Sequence, residues 1–393
     1  MYDDVTKRTK ILMGVTLSEM GGAQKVVYDI IESLPLDIYD IGLVTAPGGE
    51  LIKWIEDLNK TRDSQVKIIT IPELRREISP FNDIKAFFKL YSIMKRGRYH
   101  IVHLHSSKMG ILGRWAAKLA GVPKILFTVH GWGINEYQPR IVQKVLGFAE
   151  RISGRISDMT ICVSRYHLDK GIKMGWLNPS KSYVIYNGIS DAPDIYGKLK
   201  TEIKIMPDTF LIGTIMRLRA PKEPLFTIRV VKNLIDKGFN TKLVIIGDGP
   251  LKRQCMDLIK ELALDEHVFL LGTRHDVREL LNDFNIITLF TRWEGLPVCI
   301  IEAMFAGIPV ITCKVGGIPE LIGENNEAGF MLDSLDIEEA ASYIECLLKD
   351  NEMAKRIGSA AKQKAYKLFT KKCMTEKYHN IYEGTLGGND EVV

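Results

Sequence analysis

The chain has 393 residues, which is more than a single hydrophobic core usually supports and favours two domains. Hydrophobic residues make up 46% and charged residues 26%, which excludes a disordered chain, a collagen-like repeat and a small disulfide scaffold. The six cysteines include no C-x-x-C pair, so they indicate neither a zinc site nor a redox dithiol. Apolar runs are too short to span a bilayer and the N-terminus does not resemble a secretory signal, so we expect a cytoplasmic protein.

Positive charge is concentrated in the first half of the chain. The net charge is +5, yet residues 1–190 contain 27 Lys and Arg against 18 Asp and Glu. Residues 75–124 hold 11 basic side chains and two acidic ones. Such an excess predicts an anionic neighbour, which would be nucleic acid, an anionic membrane face or a phosphorylated substrate, with a merely solvated basic face as the alternative.

Short apolar runs alternate with amphipathic segments of helix length, a pattern typical of parallel sheets covered by helices on both faces. The predicted strands of a first series lie near 10–15, 39–45, 66–71, 100–104, 124–129, 159–163 and 182–186. A second series lies near 210–215, 241–247, 267–271, 285–290 and 308–312. The turn-rich segment 187–194 predicts a linker between them, and 349–386 predicts two or three final helices.

Glycine turns and cations follow several of these strands, where ligands of doubly wound sheets bind. Gly21 and Gly22 precede a helix, so their N–H groups can approach a phosphate, although a turn without a ligand fits equally well. Arg217 and Lys222 could clamp the two phosphates of a diphosphate, with a solvated loop as the alternative. Gly247 ends the next strand. Together these turns predict an anion site.

The most specific motif is the segment 291–303, Thr-Arg-Trp-Glu-Gly-Leu-Pro-Val-Cys-Ile-Ile-Glu-Ala. Pro297 predicts a helix start, which places Glu294 in the preceding loop and Glu302 in the second turn. This path spans on the order of 12 Å, comparable to the reach from a hexose across a diphosphate to a ribose. N–H groups near Val298 and Cys299 would meet the diphosphate between the carboxylates. For Glu302, flanked by apolar residues, a capping or ion-pair role is the alternative.

With these motifs the chain resembles glycosyltransferase family 4, the retaining, nucleotide-sugar-dependent enzymes of the GT-B fold. The resemblance covers nearly the whole length, and its most specific part is the pair of glutamates separated by seven residues. The turn at 21–24, the run 103–114 and Val-His-Gly at 129–131 resemble the branch that builds capsules, O-antigens and other surface polysaccharides. The fold implied is α/β, with two doubly wound Rossmann-like domains facing each other across a cleft.

The resemblance implies a role for each matching residue. Arg217 and Lys222 would bind the donor diphosphate. Glu302 would bind the ribose, and Glu294 would hold hydroxyls of the donor sugar. His130, before a mobile-looking loop, would lie beside the reacting sugar, so His130 and Glu294 are the expected catalytic residues. The other expected donor-binding residues are Gly21, Gly22, Gly247, Arg274, Gly295, Leu296, Pro297 and Val298.

The resemblance also assigns the domains. Residues 1–188 would form the acceptor-side domain, with a helix at about 370–386 packing back on it. Residues 189–369 would bind the nucleotide sugar. One departure from the family pattern is that Met216 and the Lys-Glu-Pro at 222–224 stand where many members carry glycines around the cationic pair.

The expected reaction moves a hexose or N-acetylhexosamine from a nucleotide sugar, UDP favoured over GDP, to a glycan or a polyprenyl-diphosphate-linked sugar. Nucleic acid is not an expected partner. No D-x-D motif occurs, so we expect protein cations and helix ends to meet the diphosphate charge without a metal, and no cofactor is expected. His103 and His105 are assigned to packing. A nucleotide-sugar epimerase or phosphorylase, and a non-enzymatic sugar sensor, are the alternative functions.

The helix-length segment 82–96 mixes apolar residues with Lys85, Lys89, Lys95 and Arg96. This composition predicts peripheral contact with the anionic cytoplasmic face of a membrane, where a lipid-linked acceptor would be met. An ordinary amphipathic core helix is the alternative.

Overall fold

The computed structural model describes residues 8–63, 65–135, 138–190 and 195–384. They form two compact α/β units. One contains the described residues of 1–187 and 371–393, and the other contains those of 188–370. Part of the predicted linker, residues 191–194, lies outside the described residues. The chain therefore leaves the first unit, builds the second, and returns to the first for its last helix.

The first unit has all seven predicted strands: β1 (Thr9–Val15), β2 (Tyr39–Thr45), β3 (Lys67–Thr70), β4 (Ile101–His105), β5 (Lys124–Val129), β6 (Met159–Cys162) and β7 (Ser182–Val184). They form one parallel sheet in the order β3-β2-β1-β4-β5-β6-β7. In the centre, Ile11 pairs with Ile41 on one side and with Ile101 on the other. Strand β4 is buried along its whole length, as expected of a central parallel strand.

The helices of this unit are α1 (Gly22–Ser33), α2 (Glu50–Lys60), α3 (Pro80–Gly97), α4 (Ser107–Ala120), α5 (Arg140–Ile156), α6 (Arg165–Lys173) and α15 (Lys371–Glu383). Most of them bury apolar residues at helical spacing, such as Val26, Val27, Ile30 and Ile31 on α1. Side chains of α1, α2 and α15 share one core, and those of α3, α4 and α6 share the other. The sheet is therefore covered on both faces.

Helix α15 completes the first core. Its residues Met374, Tyr378, Ile381 and Tyr382 are buried at i, i+4, i+7 and i+8. At its first residue, Lys371 Nζ lies 3.2 Å from Asp29 Oδ1 on α1. The predicted end of this helix, 385–386, lies outside the described residues.

The second unit has β8 (Phe210–Ile215), β9 (Thr241–Ile246), β10 (Val268–Gly272), β11 (Ile286–Leu289), β12 (Val310–Cys313) and β13 (Gly329–Leu332). They form a parallel sheet in the order β10-β9-β8-β11-β12-β13. The sequence interpretation missed β13, which begins at a glycine, a residue depleted in strands. It nevertheless pairs with the whole of β12.

Helices of the second unit are α7 (Lys198–Glu202), α8 (Pro224–Asp236), α9 (Lys252–Glu261), α10 (Val277–Leu280), α11 (Val298–Phe305), α12 (Ile318–Ile322), α13 (Ile337–Lys349) and α14 (Asn351–Leu368). In each unit the parallel strands bring their carboxyl ends to one edge of the sheet, where the candidate site residues follow them. Within the described residues, none of the helices combines the length and apolar character that a bilayer crossing requires.

Candidate functional site

Helix α11 and the loop before it form the centre of the candidate site in the second unit. Pro297 caps the helix with extended backbone, and its carbonyl accepts hydrogen bonds from the N–H groups of Ile300, at 3.2 Å, and Ile301, at 3.4 Å. The N–H groups of Val298 and Cys299 precede this ladder, so helix geometry leaves them directed out of the N-terminus. The first turn contains no acidic residue. The helix end therefore presents positive potential without a local carboxylate.

Lys222 and Glu294 are in direct contact through Lys222 Nζ and Glu294 Oε1, with side chains only 17% and 13% exposed. The thiol of Cys299 lies close enough to this pair to be affected by both charges. Burial raises the pKa of Cys299 to about 12, with Lys222 opposing that shift and the carboxylates of Glu294 and Glu302 adding to it. The structure thus brings together Lys222, Glu294 and Glu302 around the first turn of α11.

The loop carrying Lys222 is fixed by the backbone, although it lacks the glycines of many family members. Lys222 forms an isolated antiparallel bridge with Thr291. Beside it, Glu223 N donates to Phe290 O at 3.0 Å, and Arg292 N donates to Pro221 O at 3.1 Å. The cationic loop is therefore bonded to the strand end that leads into the Glu294 loop.

Gly247 brings the ends of β8 and β9 together. Its φ is +137°, and a Cβ atom there would lie 1.9 Å from Met216 O. Leu218 N also donates to Asp248 O at 3.0 Å. This close approach requires glycine and places the partly exposed Arg217 beside the turn. Arg217 and Gly247 therefore meet at the carboxyl edge, as the sequence predicts.

Gly316 packs against the backbone of the loop that carries Glu294. Its φ is +59°, and a Cβ atom there would lie 2.0 Å from Glu294 O. The next residue, Gly317, donates its N–H to Gly295 O at 3.0 Å. The two glycines after β12 thus fix the position of the loop that carries Glu294.

Glu302 is not buried among its apolar neighbours. Ile300, Ile301, Ala303 and Met304 are fully buried, whereas Glu302 keeps part of its surface exposed. Helical periodicity explains the difference, because a 100° step per residue turns position 302 away from the core. The expected desolvation problem therefore does not arise, and the carboxylate is accessible to a ligand.

Arg274 lies in an ion-pair network. Its Nε and Nη2 donate to the two oxygens of Asp276 at 2.8 Å each, and Nη2 also donates to Glu202 Oε2 at 3.0 Å. These pairs hold the pKa of Asp276 well below its usual range. A diphosphate would have to displace two carboxylates to reach Arg274, so the expected donor-binding role of this residue is not supported by its surroundings.

Three histidines follow or end the central strands of the first unit. His103 and His105, on β4, are fully buried, and His130 directly follows β5. His103 hydrogen-bonds to Tyr382 Oη at 2.6 Å and to Thr128 Oγ1 at 2.7 Å. His105 Nδ1 lies 2.9 Å from His130 Nε2, with the rings stacked. The packing role expected of His103 fits these contacts, whereas His105 contacts the candidate catalytic histidine itself.

All three imidazoles are neutral at pH 7. Burial lowers the pKa of His130 to about 4 and that of His103 to about 3, and it holds the pKa of His105 well below its ordinary value. The mutual proximity of the rings adds to the shift for His103 and His105. His130 therefore offers a neutral hydrogen-bonding ring rather than a cation. Among the described residues, no group of three or more His, Cys, Asp or Glu side chains could hold a metal ion.

The turn at Gly21 and Gly22 begins α1 without an acidic residue in the first turn. Gly21 caps the helix with extended backbone that any residue can adopt, and Gly22 is exposed. The loop is held by Gln24 Nε2, which donates to Leu17 O at 2.8 Å. In the loop after His130, the indole of Trp132 is 7% exposed and donates to His167 O at 2.9 Å.

Comparison with known proteins decides the family. Residues 20–192 match the family described as Glycosyltransferase Family 4, and residues 197–364 match Glycosyl transferases group 1. The chain is 32% identical, over 84% of both chains, to the UDP-Gal:alpha-D-GlcNAc-diphosphoundecaprenol alpha-1,3-galactosyltransferase of Escherichia coli. The chain belongs to glycosyltransferase family 4. This family 4 glycosyltransferase is also 26% identical to the capsular polysaccharide biosynthesis glycosyltransferase CapM of Staphylococcus aureus, covering 90% of this chain and 92% of CapM.

Solved structures support the fold. HepE of Anabaena, in complex with UDP and glucose, matches this glycosyltransferase with a TM-score of 0.80 at 19% identity over 96% of this chain and all of HepE. WaaG, a glycosyltransferase involved in lipopolysaccharide biosynthesis, matches with a TM-score of 0.75 at 15% identity over 95% of this chain and all of WaaG. The expectation of two Rossmann-like domains of the GT-B type is confirmed.

Sequence reasoning on this glycosyltransferase missed two supporting features. The sequence interpretation assigns His105 to packing and does not predict its contact with His130, although His-x-His at the end of a buried strand signals a polar side chain at the carboxyl edge. The sequence interpretation assigns no role to Gly316 and Gly317, and only the structure shows that they contact the Glu294 loop.

Proposed function

We propose that this protein is a retaining glycosyltransferase that moves a hexose or N-acetylhexosamine from a UDP-sugar to a lipid-linked or glycan acceptor in surface polysaccharide biosynthesis. The observation that carries the proposal is the contact of Lys222 with Glu294 beside the open N-terminus of α11. A cation, a helix end and two spaced carboxylates match the charge pattern of a nucleotide sugar, which has an anionic centre and hydroxyls at both ends.

The second unit is the proposed donor-binding domain. Lys222, Arg217 and the first-turn N–H groups of α11 bind the diphosphate, and Glu302 accepts hydrogen bonds from the ribose. When the donor binds, a phosphate replaces Glu294 as the partner of Lys222, and Glu294 is released to bind hydroxyls of the sugar. The complexes of HepE with UDP and glucose support a uridine nucleotide, as does the UDP-Gal named for the E. coli relative.

The first unit is the proposed acceptor side. In the reaction the bond from the sugar C1 to the diphosphate breaks, and its electron pair leaves with the phosphate oxygen. The acceptor oxygen bonds to C1 on the face that the diphosphate leaves, and the departing phosphate takes the acceptor proton. Neutral His130 donates a hydrogen bond to a sugar hydroxyl, and Gly21 and Gly22 close on the phosphates. Protein cations and helix ends neutralise the charge of the departing diphosphate, so no metal is needed.

The E. coli galactosyltransferase supports both the proposed retention of configuration at the sugar C1 and the proposed class of acceptor. UDP-galactose is an α-glycoside, so the alpha-1,3 linkage named for the E. coli transferase corresponds to retention at C1. Its named acceptor is a GlcNAc-diphosphoundecaprenol. We propose an acceptor of this class, used on the cytoplasmic face of a membrane.

The test uses the purified full chain with a panel of UDP-sugars and GDP-mannose, with and without a GlcNAc-diphospho-polyprenol. We expect acceptor-dependent release of UDP and an α-linked disaccharide lipid, identified by mass and by the anomeric NMR coupling. A new epimer of the donor without acceptor would indicate an epimerase, and phosphate-dependent release would indicate a phosphorylase. Tight donor binding with no turnover on any acceptor would favour a sensor.

A further inference from the structure

Two helices of the first unit expose large apolar side chains. The exposed members, each at least 59% exposed, are Phe81, Ile84 and Phe88 on α3 and Ile141, Val145 and Phe148 on α5. Single exposed apolar residues need no explanation, but six on two helices of one unit indicate an interaction surface. These six residues and the exposed cations of α3 and α5, two helices that both pack against α4, are called the two-helix surface below.

The six apolar side chains are not part of the core. Helix α3 buries Ala86, Leu90 and Met94, which are its core stripe, and Tyr91 and Ile93 pack partly against the same core. Of the apolar residues assigned to segment 82–96 and its start, only Phe81, Ile84 and Phe88 therefore remain available to a partner. Part of the segment is thus an amphipathic core helix, and the predicted membrane contact depends on the exposed residues that remain.

Helix α5 separates its exposed apolar face from its buried face more clearly than α3 does. Its exposed residues Ile141, Val145 and Phe148 recur at i, i+4 and i+7 on one face. The opposite face buries Glu150, Ser153 and Gly154. A stripe with regular helical spacing that faces solvent has the form of an interfacial helix.

Cations accompany the apolar stripe of α5. Arg140, Lys144, Arg151 and Arg155 are all exposed. The single acid within the helix is Glu150, which is 3% exposed and paired with Arg114 at 2.5 Å. The exposed face of the helix itself is therefore entirely apolar or basic.

Helix α3 contributes less free charge. Lys85 lies over the ring of Phe81, with Nζ 5.7 Å from the ring centroid. Lys89, in contrast, is paired with Glu73 at 2.6 Å. Lys95 and Arg96, in the last turn of α3, are exposed as well. Both helices therefore contribute cations to the two-helix surface, and composition alone did not single out those of α5.

The two-helix surface lies beside the candidate acceptor site. Helices that connect parallel strands begin at the carboxyl edge of the sheet, and the six apolar residues occupy the first three turns of α3 and α5. Helix α4 packs against both, and its Lys108 is paired with Asp83 of α3 at 2.7 Å. His130 follows β5 at the same edge.

We propose that the two-helix surface docks on an anionic lipid bilayer, with the apolar side chains in the headgroup region and the α5 cations on lipid phosphates. This rests on the proposed function, because docking there brings a lipid-linked acceptor to the carboxyl edge, and it adds a site that binds lipid without any acceptor. A second copy is a poor occupant, since a two-fold contact would oppose the cations of α5 to one another.

The test measures co-sedimentation of the full chain with vesicles of phosphatidylcholine alone or with phosphatidylglycerol, without donor or acceptor. We expect binding only with phosphatidylglycerol, and its loss in 1 M salt, where the Debye length is about 3 Å. Arg140→Glu with Lys144→Glu should lower partitioning at least about tenfold, since each cation near such a surface contributes roughly fivefold. Val145→Ser with Phe148→Ser should reduce binding comparably without changing the melting temperature.

Matched controls lie on the second unit. Lys355→Glu with Arg356→Glu on α14 reverses two exposed cations, and Met206→Ser removes a side chain that is 69% exposed. Both should bind vesicles as the parent does. Equal loss in these controls, or undiminished binding in the α5 variants, overturns the proposal.

Turnover on a water-soluble acceptor separates this proposal from the proposed function. If the parent ignores anionic vesicles but glycosylates a soluble acceptor, the docking surface is refuted and the transferase stands. If it binds vesicles through α5 but shows no transfer to any acceptor, the function is refuted and the surface stands. A concentration-dependent dimer that Phe148→Ser dissociates would assign the surface to self-association instead.

Discussion

His105 Nδ1 lies 2.9 Å from His130 Nε2, and one proton is shared by these two neutral nitrogens. Among the described residues, none hydrogen-bonds to the buried Nε2 of His105. A buried N–H without an acceptor costs more than a bare nitrogen lone pair, so the His105 proton belongs on Nδ1 and is donated to His130. His130 then carries its own proton on Nδ1. The contact thereby fixes which atom of His130 can donate to a ligand.

Replacing His105 should change catalysis through His130. His105→Leu removes the donor and should lower turnover by about tenfold to a hundredfold, the effect of one lost hydrogen bond at a reacting centre. His105→Asn keeps an amide donor near the Nδ1 position and should retain most activity. Nitrogen NMR should show His130 protonated on Nδ1 in the parent and as a mixture in the leucine variant. A parent His130 protonated on Nε2 would refute the positioning role.

The buried histidines should make the first unit sensitive to acid. Their folded pKa values lie below the unfolded value of about 6.5, so the unfolded chain binds protons that the folded chain does not. Stability should therefore be full above pH 6.5 and fall as the pH drops, by roughly 2 kcal/mol for each fully buried histidine between pH 7 and 5. Denaturant titrations followed by tryptophan fluorescence measure this. His105→Asn should flatten the dependence.

Arg217→Ala should lower turnover by about two orders of magnitude or more, because the proposed clamp neutralises the leaving diphosphate in the transition state. The melting temperature should hardly change, since the side chain is partly exposed. Arg219→Ala, on an exposed side chain two residues away, is the matched control and should stay near the parent rate. Near-normal kcat/KM for Arg217→Ala would remove the clamp from the mechanism.

Calorimetry should distinguish the proposed roles of Glu302 and Glu294 by their effects on ligand affinity. Glu302→Gln keeps the shape but weakens the proposed hydrogen bond to ribose, so it should weaken binding of both free UDP and the UDP-sugar. Glu294→Gln should weaken binding of the UDP-sugar, whereas the affinity for free UDP should hold or rise, because Lys222 then has no carboxylate to release. Glu324→Gln, at an exposed ion pair with Lys314, should change neither. Unchanged UDP affinity in Glu302→Gln would exclude the ribose contact.

Chelation tests the proposed independence from metal. Enzyme treated with EDTA should retain most of its rate, because Arg217, Lys222 and the α11 terminus meet the diphosphate charge. Initial rates before and after addition of magnesium or manganese provide the measurement. Complete loss with EDTA and recovery with either ion would show that a bound cation does this instead.

The sequence predicted the sheets because short apolar runs alternating with amphipathic helices leave few other folds. It located Lys222, Glu294 and Glu302 as well, since each follows a strand or opens a helix with recognisable boundaries. It could not predict that Arg274 is paired with Asp276, two positions away, and at the same time with Glu202, 72 positions away. Pairings of this kind depend on where loops from different elements come together, and no local pattern encodes them.

Which face of a helix is exposed to solvent was equally hard to predict from the sequence. The α5 segment has the spacing of an ordinary amphipathic helix, and spacing alone does not tell which face meets the sheet. The buried pair of Arg114 and Glu150 decides it, because Glu150 turns the polar side inward and leaves Phe148 outside. Charged side chains are rarely buried, so reasoning from composition places them on the surface even where a pair lies in the core.

The return of α15 to the first unit sets an order of events during synthesis. A ribosome releases residues 8–187 and then the entire second unit before Lys371 can reach Asp29 or Tyr382 can bond to His103. Until then the apolar residues of α1 and the polar ring of His103 lack a cover that they have in the finished protein. The N-terminal half of the chain is therefore finished last, and a nascent chain stalled anywhere before Met374 would present that uncovered face to chaperones.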